Sequence, residues 1–178
     1  MDRRELIQWL VATAGLQARQ AYTPNDLLAL GRDVHRHGTP HLRPTHANRT
    51  VTIAAERILP GATEANVGAF IDTMLDDWYA PEERERFLSG LKDLDTRCQT
   101  AAHADFILCE ERHQMEVLAT LDAEVTELRA SAGDGRADQH WFAMLKFLTI
   151  YGWCTSEPGM RALQLYPLPW RYEGCAPV

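Results

Sequence analysis

Four histidines fall within a dozen residues: His35, His37, His41 and His46. Neutral imidazole is the commonest transition-metal ligand, so this cluster raises a metal reading. Its setting opposes that reading. Gly38, Pro40 and Pro44 make the stretch a loop, and no Cys, Asp or Glu within it completes a site. A solvated connector is the ordinary account; an independent metal-dependent enzyme built on the His35–His46 loop is the alternative. Glu110 and His113 carry the Glu-x-x-His spacing of di-iron carboxylate bundles, but such sites need a second copy and the sequence has none. Asp72, Asp76 and Asp77 could pair as acid and base, yet on an amphipathic helix they more simply mark solvent or a partner contact. Gly133 and Gly135 lack the third glycine and the preceding strand of a dinucleotide fingerprint. The four cysteines, Cys98, Cys109, Cys154 and Cys175, include no C-x-x-C and no haem-attachment motif. No catalytic, cofactor-binding or metal-ligating residue is therefore assigned to this chain.

The elements behind these residues read as helices. Asn25 or Asp26 can cap a helix carrying Leu27, Leu28, Leu30 and Val34. A second runs from Val51 to Ile58 and stops at Pro60-Gly61. Thr63 is placed to cap a third over Glu64 to Trp78, with Val67, Phe70, Ile71, Met74, Leu75 and Trp78 on one face. Pro81 opens a fourth, with acidic residues suited to its positive end and Cys98 in its apolar seam. A long helix follows from Glu110 to Leu128, then a surface loop from Ser131. Asp138 can cap a last helix from Trp141 to Tyr151, apolar on nearly every side and ended by Gly152 and Pro158-Gly159. Such a helix is buried all round or shared with a partner. No alternating run signals a strand. The fold expected is all-α, a single-domain irregular bundle of about six or seven helices with an extended C-terminal tail.

That tail is rich in aromatics and prolines and poor in polar groups, so it is expected to lie against something. Tyr151, Trp153, Glu157, Tyr166, Trp170, Arg171 and Tyr172 are the candidate partner-facing residues, being of the types that interfaces concentrate. Cys154 and Cys175 bracket the tail and could form a disulfide; two buried thiols are the alternative.

The run Lys146-Phe147-Leu148-Thr149-Ile150-Tyr151-Gly152, then Thr155 to Gly159, then Tyr166 through Pro167, Pro169, Arg171 and Tyr172 to Gly174-Cys175, resembles the C-terminus of the gluconate 2-dehydrogenase subunit 3 family. Earlier stretches agree: Ala54 to Pro60, Phe70-Ile71-Asp72, Leu75 with Trp78-Tyr79, and Arg86-Phe87-Leu88 with Gly90-Leu91. The likeness covers about Val51 to Val178. It implies a small, cofactor-free and non-catalytic subunit of a membrane-associated complex that oxidises a sugar, sugar acid or polyol. The implied partners are a large FAD-dependent subunit of the glucose-methanol-choline type and a multihaem cytochrome c. The small subunit would stabilise, mature and export the large one.

Residues 1–21 contain Arg3-Arg4 before a short apolar run, which looks like a twin-arginine export signal. The alternative is a first helix with Leu6, Trp9, Leu10 and Thr13 on one face. Residues 22–178 are then the helical small-subunit domain. Periplasmic localisation follows from the first reading and cytoplasmic from the second. At 178 residues the chain can bury one core. Its net charge of −7 excludes a general nucleic-acid binder. No apolar run is long enough to span a bilayer, so membrane association is expected only through the complex.

Overall fold

The computed structural model describes residues 24–37 and 45–163. Among them there are helices and turns and no strand. In chain order the helices are α1 (Pro24–His37), α2 (His46–Ile58), α3 (Val67–Asp77), α4 (Pro81–Ala102), α5 (Glu111–Ala132), α6 (Asp134–Ala137), α7 (Trp141–Thr155) and α8 (Glu157–Ala162), with a 3-10 turn at Phe106–Leu108. The all-α expectation holds, with six long helices and two short ones among the described residues.

Local chemistry sets most boundaries. Thr45 caps α2, its hydroxyl accepting the Asn48 N–H at 3.3 Å. The turn after α2 is held by the Glu56 carboxylate, which accepts the N–H groups of Gly61 (3.0 Å) and Thr63 (2.7 Å). Those bonds keep the Glu56 carboxyl below its ordinary range. Because Thr63 is engaged there, the helix expected from Glu64 begins later. The chain turns through residues 61–66, Asn66 takes a left-handed φ of 53°, and α3 starts at Val67. Pro81 does open α4; the Glu83 carboxylate folds back to accept the Ala80 N–H at 3.1 Å.

Three other expectations are corrected. Asp138 does not cap α7; its carboxylate accepts from Arg129 at 3.2 Å, and His140 is the cap, its Nδ1 accepting the Phe142 N–H at 3.2 Å. Gly152 does not end α7, which continues to Thr155. Trp78, expected on the buried face of α3, is 51% exposed at its C-terminal cap.

The helix α7 is the centre. It contacts α1, α2, α3, α4, α5 and α8. Leu145 and Leu148 are fully buried on it, in one apolar cluster with Ile71, Phe87, Leu94 and Leu121. At Gly90 on α4 the Trp141 indole comes so close that an added Cβ would fall inside it, so this position has room only for glycine. Ion pairs brace the outside: Arg97 of α4 reaches Glu124 of α5 at 2.6 Å, and Lys146 of α7 reaches Asp122 of α5 at 2.6 Å.

Candidate partner interface

The residues expected to face a partner divide. Tyr151 is turned inward: its hydroxyl donates to the Leu27 carbonyl of α1 at 2.6 Å, its ring meets the Phe70 ring edge-on at 5.4 Å and stacks on Phe147 at 5.6 Å. Burial raises its pKa above the ordinary tyrosine value. It therefore serves the core of this chain. Trp153 is half-buried, with its indole over Gly61. Glu157 is exposed and pairs with Arg161 one turn along α8. Tyr166, Trp170, Arg171 and Tyr172 lie outside the described residues, as do Arg3, Arg4 and Cys175. Cys154 is a buried free thiol whose pKa burial pushes up to about 12.

Around Tyr151 the structure assembles a seam between α1 and α7. His35 donates from Nε2 to the Gly152 carbonyl at 2.7 Å and stacks on Phe70 at 4.8 Å. Burial lowers its pKa, and the bond to Gly152 offsets part of that. Gly31 gives room to Thr155, whose Cγ2 would stand 2.5 Å from a Cβ there. The histidines of the expected loop thus separate. His35 and His37 end α1 and His46 opens α2, while His41 lies outside the described residues. His37 lies 3.8 Å from Asp33, and His46 meets the Asp95 carboxylate at 2.7 Å. Among the described residues no three His, Cys, Asp or Glu side chains gather as a metal site would require.

Apolar surface remains at Trp78, Leu108 (72% exposed) and Met115 (46% exposed). Nothing in the residue pattern signals this at Leu108, because a single 3-10 turn has no periodicity to read. Nor does the pattern signal that Cys98 and Cys109 come together. A helix end and an irregular turn separate them, and neither has a spacing rule.

A family model for gluconate 2-dehydrogenase subunit 3 matches residues 45–174. The chain belongs to that family. The match takes in α2 through α8, so the whole packed core except α1 is family structure. In this subunit 3 chain, α1 is a helix outside the matched region that covers one side of α7 through Tyr151, His35 and Gly31. Family membership makes the chain an accessory subunit of a dehydrogenase complex. No curated protein and no solved structure matches it.

Proposed function

We propose that this chain is the non-catalytic small subunit of a flavin-dependent dehydrogenase acting on a sugar, sugar acid or polyol. Its partner is a large FAD-dependent subunit of the glucose-methanol-choline type, and a multihaem cytochrome c takes the electrons. Hydride chemistry belongs to the flavin on the partner, which carries the cofactor that this chain does not supply. The small subunit stabilises and matures the large one, and Arg3-Arg4 directs the pair to the periplasm. The family match over residues 45–174 is the observation that carries this reading. A helix bundle whose apolar centre is closed by its own helices suits a rigid scaffold for another chain. A partner that binds only the folded flavoprotein shifts its folding equilibrium toward the native form by mass action. No helix among the described residues is long and apolar enough to cross a membrane.

The test is co-expression with a large FAD-dependent subunit of the glucose-methanol-choline type. Expressed alone, the flavoprotein is expected to be insoluble or inactive; with this chain it is soluble, carries FAD and reduces an artificial acceptor. Full activity without this chain overturns the stabilising role. Arg3→Lys with Arg4→Lys is expected to hold both chains in the cytoplasm, and unchanged localisation removes the export part.

A further inference from the structure

The last turns of α4 and the 3-10 turn beyond it are clamped together at two points. Asp95 accepts the Phe106 N–H on Oδ1 at 3.0 Å, and Gln99 donates from Nε2 to Asp105 Oδ1 at 2.7 Å. Cys98 lies about one helical turn past Asp95 on the same side of α4. Cys109 ends the clamped segment. Its N–H bonds back to Asp105 and Phe106 at 3.1 and 3.3 Å, and its thiol points to the Ala104 carbonyl at 3.5 Å. The segment is thus folded back so that the two thiols, eleven residues apart in sequence, stand beside each other in the core. Both are free.

We infer that Cys98 and Cys109 are a dithiol that closes to a disulfide in an oxidising compartment and fastens the 3-10 turn to α4. The oxidant is a disulfide, either a small one such as oxidised glutathione or one on an exchange protein. Cys109 attacks first, being 9% exposed where Cys98 is fully buried. Its thiolate displaces one thiol from the oxidant and forms a mixed disulfide. Cys98 then attacks the Cys109 sulfur and releases the second thiol. Two protons leave the cysteines, and their two electrons reduce the oxidant's disulfide to two thiols. Burial and the neighbouring thiol push the Cys98 pKa up to about 12, so the second step is slow and follows local opening of the turn. The inference rests on this geometry and holds whether or not the chain serves a flavoprotein.

Trypsin makes the test direct. No Lys or Arg lies between Arg97 and Arg112, so both cysteines fall in the one peptide 98–112, while Cys154 falls in 147–161. The folded full-length chain is incubated with oxidised glutathione well below its melting temperature, quenched in acid, denatured, alkylated and digested. Peptide 98–112 is expected two hydrogens lighter and unalkylated, with Cys154 alkylated. The oxidised protein should melt about 5 °C higher, reversibly on reduction. Cys98→Ala should stop at a glutathione adduct on Cys109 with no rise in melting temperature. Alkylation at both cysteines overturns the inference, as does a bridge from either to another peptide or a lower melting temperature on closure. If Cys98→Ala fails to fold, the wild-type peptide still decides.

Discussion

Thr149 carries a hydroxyl into the core of α7, fully buried and with no hydrogen-bond partner for Oγ1 among the described residues. A buried hydroxyl without a partner is destabilising, and valine has nearly the same shape without it. Thr149→Val is expected to raise unfolding stability by about 1 kcal/mol in urea titrations; a loss would show that the hydroxyl has a partner in solution. His35 and His140 give the molecule a pH slope. Burial is the first cause in both, and it lowers the pKa of each below the ordinary histidine value. The unfolded chain then binds more protons than the folded one as pH falls through the ordinary value near 6.5. Stability is full above that value and declines toward the lower folded pKa. Thermal melts at pH 7.5 and 5.5 should show the drop, and His35→Gln, which keeps a donor for Gly152, should make it shallower. Glu56 acts in the same direction but lower down: its folded pKa is depressed too, so its contribution fades only as pH falls below about 4.5.

Helix ends show where sequence reading succeeds and where it stops. Pro81 opens α4 as read, because its fixed φ and missing N–H suit a first turn whatever surrounds it. Thr63 and Asp138 are equally good N-cap residues by type, yet neither N-caps a helix; Asp138 closes the C-terminal end of α6 instead. Glu56 takes the Thr63 N–H and Arg129 takes the Asp138 carboxylate, and both partners are set by tertiary packing. Gly152 lies inside α7 because an added Cβ there would press on Phe70 at 2.7 Å; it marks a close approach, which sequence cannot tell from a helix end. At the next junction Ser156 caps α8, accepting the Gly159 N–H at 3.1 Å and donating to the Trp153 carbonyl at 2.6 Å. Ser156→Ala is expected to lower stability by about 1 kcal/mol, measured by chemical denaturation. No change would mean that α8 is held by packing alone.

At the scale of the molecule the helical class was legible, since no run alternated as a strand would and the long elements other than α7 carried caps or an apolar face. The residues expected to face a partner were chosen by type alone. Aromatic residues at a chain's apolar end satisfy its own core as readily as an interface, and Tyr151 does the former. Composition could not separate the two uses, because each needs a large ring with a polar tip. The centrality of α7 was visible only as an ambiguity, a helix apolar on every side. Its consequence is measurable. Leu145, fully buried on the helix that all the other long helices contact, should cost about 2–5 kcal/mol when changed to alanine, with a single cooperative transition retained. A second transition would mean that α7 does not unite the bundle.

The position of α7 in the chain bears on synthesis. Helices α1 to α5 are made first, yet each rests on a helix that ends at Thr155. Until that residue has left the ribosome, their greasy stripes have no common surface to close on. Acquisition of the native state is thus postponed until α7 has been made, and the nascent polypeptide first passes through a sticky interval in which holding factors have most to do.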